Sequence, residues 1–277
     1  MDVTLTRSGA PWAVRDPAEK LAVRGMLPGA YGFDLAAHGA RVARARGADF
    51  ADLLALAMPS SWMVNNGAPS PVFRWWLSER REAWAELCAR LEGGTEAWLA
   101  APADTRDTVA GLCRSLAVKG HGACAISKVL AVLCPQTVPL MDDAAIAFAL
   151  GAVPVPETAD KPTADASLVA PMLDWFARAV RDAEAPLVEL ARDYEFAPLD
   201  APQVLDRLLW MESWGWNHLG PLDTPAPRFW WLADGPREGI VMLEPPHPPF
   251  PTGARVDLAA VTDAAWRARA ADALADP

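Results

Sequence analysis

Two glycines and two aspartates that lie close together in the chain have residue types and a spacing that could support chemistry. Gly120 and Gly122 stand on either side of His121, between two apolar helical patterns, and Asp142 and Asp143 follow a proline-bounded apolar segment. Glycine permits the positive φ angles of a tight turn, and the amides of such a turn can bind phosphate together with the next helix start. A carboxylate held nearby could stabilise developing positive charge or activate water. The pattern predicts a phosphate-binding helical hairpin beside a catalytic carboxylate.

The elements needed to position these groups can be followed along the chain. Gly120, His121 and Gly122 form the turn, Lys119 precedes it, and Cys124 lies in the first turn of the next helix. Pro135 ends that helix because proline cannot donate a backbone hydrogen bond. Residues 138–141 are apolar and extended, which fits a buried crossing that carries Asp142 to the start of another helix.

This segment resembles the helix-hairpin-helix, glycine/proline, aspartate (HhH-GPD) superfamily of DNA glycosylases. The match consists of Gly120, Gly122, Leu130, Pro139 and Asp142, with Asp142 following Gly120 by 22 residues. The segment SKVLAVLCPQTVPLMDD and a later helix with the pattern R-L-L-W, at residues 207–210, also resemble relatives of this superfamily whose motifs are less strictly defined. The strong similarity covers about 25 residues, and about 150 if the surrounding helical array is included.

The resemblance implies a mainly α protein, a helix-hairpin-helix glycosylase-like helical array with a small C-terminal β-hairpin. It implies monofunctional excision of a damaged or modified base, with Asp142 as the catalytic carboxylate, duplex DNA bound through the hairpin, and no cofactor. Asp143 is a weaker candidate because it falls one position later, inside the helix. Cys124 stands where bifunctional members carry a lysine nucleophile, four residues after the first hairpin glycine, so lyase chemistry is not expected. Lys128, one turn further on, is a supporting candidate, although a lysine there is usually solvated.

Each of these sequence signals can also be explained by a purely structural role. An aspartate before an apolar helical run is a preferred N-cap that stabilises the helix by about 1 kcal/mol, and capping is compatible with catalysis. A Gly-x-Gly turn also occurs in ordinary helix–helix connections, and His121 could be a surface histidine. The alternative function is a non-catalytic helical binding or scaffold protein that retains the fold.

Trp75 and Trp76 are candidates for a base-stacking surface because arginines surround them, at positions 74, 80 and 81. The alternative is that one tryptophan packs in the core while its neighbour covers the edge of the helix, as is usual for aromatic residues at helical spacing.

The net charge of −10 argues against general nucleic-acid binding, because an acidic chain repels a polyanion. The charge is unevenly distributed. Residues 106–134 carry four basic residues and one acid, whereas residues 157–206 carry eleven acids and four basic residues. The hairpin segment is therefore locally positive, which favours the enzyme over the scaffold.

Composition and cysteine usage narrow the class of protein further. The chain is 52% hydrophobic, enough for a substantial core, and its longest apolar runs are too short to span a bilayer. The start of the chain lacks the apolar stretch that drives secretion, and four widely separated cysteines indicate reduced core thiols rather than a zinc or iron–sulfur site. We expect a cytoplasmic protein without a membrane partner or a metal; the oligomeric state stays open.

Breakers and helical periodicity predict the organisation of the chain. Residues 1–150 form a helical subdomain that contains the hairpin, and residues 151–166, with three prolines, form a loop or linker. Residues 167–277 form a second helical part with a proline- and tryptophan-rich β-hairpin tail. Residues 1–30 are expected to be an irregular arm. Helices are predicted at 35–46, 49–58, 72–91, 95–100, 104–118, 125–133, 143–150, 168–194 and 202–214, and a last one within 256–274.

Overall fold

The computed structural model describes residues 3–25, 28–63, 71–118, 121–151, 166–194, 198–215, 228–235, 237–243 and 255–275. Most of these residues are helical, as the sequence predicts. The helices are α1 (Pro17–Gly25), α2 (Pro28–Ala45), α3 (Phe50–Met63), α4 (Pro71–Glu79), α5 (Arg81–Leu91), α6 (Gly94–Ala100), α7 (Ala103–Leu116), α8 (Ala123–Leu133), α9 (Asp143–Leu150), α10 (Val169–Asp182), α11 (Glu184–Asp193), α12 (Ala201–Trp210) and α13 (Ala264–Ala275). The strands are β1 (Val3–Arg7), β2 (Ala10–Val14), β3 (Arg228–Asp234), β4 (Arg237–Leu243) and β5 (Arg255–Asp257).

The N-terminal segment is a β-hairpin followed by a helix, so the prediction of an irregular arm is wrong. β1 and β2 pair antiparallel from Val3 opposite Val14 to Arg7 opposite Ala10. Ser8 and Gly9 make the turn with positive φ angles of 49° and 86°. Pro11 is tolerated because in a two-stranded hairpin a proline can occupy an edge position. Ser8 also donates its backbone N–H to Phe148 O at 3.1 Å, which attaches this hairpin to the end of α9.

The central helix is α8, in which every residue from Ile126 to Leu133 is buried. It packs against α2, α3 and α7. The apolar run of this helix therefore reflects burial on all sides rather than one amphipathic face.

Local signals explain where several helices begin and end. α9 lies between an Asp142 N-cap and Gly151, whose φ of 67° suits a C-terminal glycine. α12 begins with a complete capping box between Asp200 and Gln203. The helices predicted at 72–91 and 168–194 are each divided in two, at Arg80 and Ala183.

After α12 the chain continues in a π-helical turn, Met211–Gly215, where the sequence predicts an ordinary helix. This turn lies against α1 and α9. It brings Glu212 beside the N-terminal hairpin.

The described residues form two hydrophobic cores. The larger one runs from Val3 to Leu209 and includes residues on both sides of the predicted linker, which itself falls mostly outside the described residues. The smaller core lies in the C-terminal element and contains Leu232, Val256, Leu258, Val261, Trp266 and Ala270.

The C-terminal element contains the predicted hairpin and one strand that the sequence did not predict. β3 pairs antiparallel with β4, from Arg228 opposite Leu243 to Asp234 opposite Arg237. β5 adds to the other edge of β3 in parallel, and α13 packs on this sheet.

Candidate active site

The predicted crossing, residues 138–141, is held in place by hydrogen bonds from two helices. The Met141 N–H donates to Ser127 Oγ of α8 at 2.9 Å, and the Leu140 N–H donates to Asp206 Oδ1 of α12 at 2.7 Å. All four groups are buried, so each of these bonds satisfies an amide that water cannot reach. Together they fix the backbone that immediately precedes Asp142.

Asp142 is the N-cap of α9. Its backbone is extended, with φ −83° and ψ 170°, and its Oδ1 accepts from the Ala145 N–H at 2.7 Å. The capping role considered from the sequence is therefore confirmed. Burial raises the pKa of the carboxyl group, while the hydrogen bond from Ala145 opposes that shift. The carboxylate is partly buried, so it keeps some contact with solvent.

The fold brings Cys124 and Lys128 of α8 to the beginning of α9. Burial is the main reason why the pKa of the Cys124 thiol is raised. Lys128 opposes that shift, and Asp142 and Asp143 add to it. Lys128 also lowers the pKa of Asp142. The predicted carboxylate and the predicted supporting lysine therefore belong to one electrostatic cluster. Asp143, the weaker candidate, is exposed at its edge.

Lys128 is only 6% exposed, so the expectation of a solvated side chain is wrong. The reason is the position of α8 at the centre of the array, where neighbouring helices cover every side of its second half. A cation held in such surroundings beside a carboxylate interacts with it more strongly than it would in water.

The hairpin turn differs from the predicted phosphate site at His121. Lys119 and Gly120 lie outside the described residues. The His121 N–H donates to Val118 O at 2.8 Å, and Val118 N–H donates to His121 O at 3.3 Å. The His121 amide is thus engaged inside the turn, and its side chain is buried against Trp76 with ring centroids 5.0 Å apart. His121 is therefore not a surface histidine, which corrects the sequence interpretation.

The beginning of α8 is the second part of the predicted phosphate site. Gly122 is the N-cap and provides no side chain to cap the helix, and Cys124 is partly buried in the first turn. The amides at a helix start carry partial positive charge, which attracts anions. Of the described members of the predicted phosphate-binding set, His121 and Gly122 are buried and Cys124 is partly buried, and their role in binding phosphate stays a prediction.

The two adjacent tryptophans have opposite environments. Trp76 is fully buried, donates its Nε1–H to Leu116 O at 2.7 Å, and packs edge-to-face on Trp84. Base stacking by Trp76 is therefore ruled out by its position, whereas Trp75 is 53% exposed and remains available. Arg74 beside it is also exposed.

A second charged cluster, which the sequence interpretation missed, lies at the other end of the crossing. The Arg207 guanidinium pairs with the Asp34 carboxylate through Nη2 and Nε, and its Nη1 lies 3.6 Å from Asp206 Oδ2. Burial lowers the pKa of Arg207, but Asp34 and Asp206 outweigh that effect and raise it overall. Arg24 is buried nearby and packs over Trp210 at 5.0 Å. The R-L-L-W pattern was the sequence signal for this cluster, since it contains Arg207.

Comparison of the chain with protein-family models, with curated proteins and with solved structures gave no match. Within the described ranges, the structure contains no group of three or more histidine, cysteine, aspartate or glutamate side chains arranged to hold a metal ion. No described helix is long and apolar enough to cross a membrane.

Proposed function

We propose that the protein is a monofunctional DNA N-glycosylase of the helix-hairpin-helix type that excises a damaged or modified base. The observation that carries this proposal is the position of Asp142, a partly buried carboxylate at the start of α9 whose pKa is influenced by burial first and by Lys128 as well. Asp142 supplies the carboxylate that stabilises an oxocarbenium-like sugar or activates water as the N-glycosidic bond breaks. The start of α8 at Gly122 holds a backbone phosphate of the DNA.

Two features support this assignment of roles. The crossing before Asp142 is hydrogen-bonded on both sides, so the carboxylate has a fixed position, which electrostatic catalysis requires. The raised pKa of Asp142 also brings it closer to the range in which a carboxyl group exchanges protons efficiently near neutral pH.

The alternative is a helical binding protein that keeps the same arrangement without catalysis. The hydrogen bond from the Ala145 N–H to Asp142 favours this alternative, because capping alone explains an aspartate at this position. The net charge of −10 favours it as well, because it weakens attraction to DNA.

A panel of duplexes that carry different base lesions separates the two functions. We expect the wild-type protein to release at least one modified base and Asp142→Asn to lower that rate by roughly 10²-fold or more. Asn is as good an N-cap as Asp, so a loss of activity in this variant is not a loss of the helix start.

Asp143→Asn is the matched control, since Asp143 is exposed and lies one position further on. It should release the base at the wild-type rate. Release that survives Asp142→Asn would contradict the assigned role of this residue. If no base is released from any duplex and DNA binding shows no dependence on salt, the binding-protein alternative is favoured.

A further inference from the structure

A large cleft lies between the N-terminal β-hairpin, α1, α9 and the π-helical turn, and we call it the hairpin cleft. Its volume is about 950 Å³, within the usual range for small-molecule sites. Ala144, Ala147 and Phe148 contribute the α9 side of the cleft, while Asp142 and Asp143 do not line it. The two carboxylates of the candidate active site are therefore not part of the cleft lining, although Ala144 connects the two regions.

The floor of the hairpin cleft is a buried ion pair. Lys20 Nζ lies 2.6 Å from Glu212 Oε1, and the two side chains are 6% and 5% exposed. The other carboxylate oxygen of Glu212 accepts from Trp12 Nε1–H at 2.6 Å. Both oxygens of Glu212 are thus engaged, and the Trp12 ring is held in a fixed orientation by its polar edge.

The wall above this floor consists of stacked planar groups. The Arg7 guanidinium lies 4.4 Å from the centroid of the Trp12 ring and 5.3 Å from that of Phe148. The two rings meet edge-to-face with centroids 6.0 Å apart. Arg7 is exposed, so one side of this planar stack faces solvent. Arginine planes and aromatic faces are the surfaces on which nucleic-acid bases stack.

The charge of the cleft is opposite in sign to that of the chain. Glu212 is neutralised by Lys20, which leaves Arg7 and Arg15 against Asp16 among the described lining residues. A chain with a net charge of −10 thus has a locally cationic rim beside an aromatic wall. The combination suits a ligand that is both planar and anionic.

We propose that the hairpin cleft binds a nucleoside phosphate, either free or as one unit of a single strand. The base lies on the Arg7–Trp12 face, the phosphate is held by Arg15, and Asp16 can accept a hydrogen bond from an exocyclic amino group. Guanidinium groups match phosphate oxygens in geometry as well as in charge. This inference does not depend on base excision.

Isothermal titration calorimetry with dGMP tests the proposal. Arg7→Gln should weaken binding about tenfold or more because it removes the stacking plane. Arg15→Gln should weaken binding by a similar factor because it removes the charge-assisted contact to the phosphate. Arg192→Gln, at an exposed arginine of α11, is the matched control and should bind like the wild type. Both cleft arginines are exposed, so neither substitution should disturb the fold. Circular dichroism checks that each variant is folded.

Three further titrations identify the ligand. Inorganic phosphate and deoxyguanosine should each bind much more weakly than dGMP, because each lacks one half of the recognised group. A five-nucleotide single strand distinguishes the sources. Tighter binding than dGMP, with the same dependence on Arg7 and Arg15, indicates a strand, and weaker binding indicates a free nucleotide.

The proposal is wrong if neither dGMP nor the oligonucleotide binds at millimolar concentration, if phosphate alone binds as well as dGMP, or if the cleft variants weaken binding no more than Arg192→Gln. Asp142→Asn should bind dGMP with wild-type affinity. Failure of base excision and failure of this proposal are therefore separate results.

Discussion

The two charged clusters at the ends of the crossing before α9 have different surroundings. At one end, Arg207, Asp34 and Asp206 are buried and bonded to one another or to backbone groups. At the other end, Asp142 is only partly buried, and its carboxylate shares the start of α9 with Lys128 and Cys124. A buried ion pair cannot readily exchange protons or meet a substrate, whereas a partly exposed carboxylate can. The difference indicates that the first cluster positions the crossing and the second is suited to chemistry.

The crossing itself is held in place by hydrogen bonds. Asp206 accepts a hydrogen bond from the Leu140 N–H, and Ser127 accepts one from the Met141 N–H. The residues before Asp142 are therefore fixed by side chains from two helices. The proposed catalytic role of Asp142 requires such support, because a displacement of about 1 Å can lower a rate by about 10²-fold.

The largest expected effect on stability comes from Arg207→Ala. This change leaves Asp34 and Asp206 buried without their shared cation, and breaking a buried pair in this way costs about 3–5 kcal/mol. Urea unfolding measures the loss.

Arg181→Ala is the control for this measurement. Arg181 lies 3.4 Å from Asp182 in a pair whose side chains are 53% and 66% exposed, and such pairs contribute about 1 kcal/mol at most. If the two variants lose equal stability, the Arg207 cluster does not hold the array together.

Ser127→Ala should have the next largest effect. It removes the acceptor of the buried Met141 N–H, and leaving such a donor unsatisfied costs about 1–3 kcal/mol. Ser115→Ala is the matched control, because the Ser115 hydroxyl donates to Leu112 O within its own exposed helical turn, and its removal should change stability by less than about 0.5 kcal/mol. Equal unfolding midpoints for the two variants would show that Ser127 does not support the crossing.

The sequence predicted the surroundings of Asp142 better than any other part of the chain. The helix predicted at residues 143–150 has those bounds in the structure, because an aspartate N-cap and a C-terminal glycine are local signals that need no knowledge of the fold. The burial of Lys128 could not be predicted in the same way. It depends on helices α2 and α3, which are distant in sequence and cover α8 only after folding.

The N-terminal hairpin was missed for a different reason. Pro11 and Pro17 favour an irregular arm because proline interrupts regular structure, whereas the alternation in residues 3–6 and the Ser-Gly turn after Arg7 are signals for a hairpin. The hairpin cleft was missed with it, since Arg7 and Trp12 lie on these strands and Glu212 reaches them from a π-helical turn that no sequence pattern indicated.

The smallest expected effects concern Asp142 itself. Asp142→Ala should lower the free energy of unfolding by about 1 kcal/mol through the loss of the cap, and Asp142→Asn should keep most of it. Thermal unfolding of the two variants at one pH measures the difference. Equal stability of both variants would mean that the bond to the Ala145 N–H contributes nothing.

The pH dependence of the same variants tests the state of the carboxyl group. Because burial raises the pKa of Asp142 in the folded protein, the folded state keeps the proton over a pH range in which the unfolded chain has lost it. Stability from this group is therefore complete below the unfolded pKa of about 4 and falls as pH rises through the folded pKa. Asp142→Asn cannot titrate, so its stability relative to the wild type should improve between low pH and neutrality. An opposite trend would mean that Lys128 and the helix amides stabilise the charged carboxylate more than burial destabilises it.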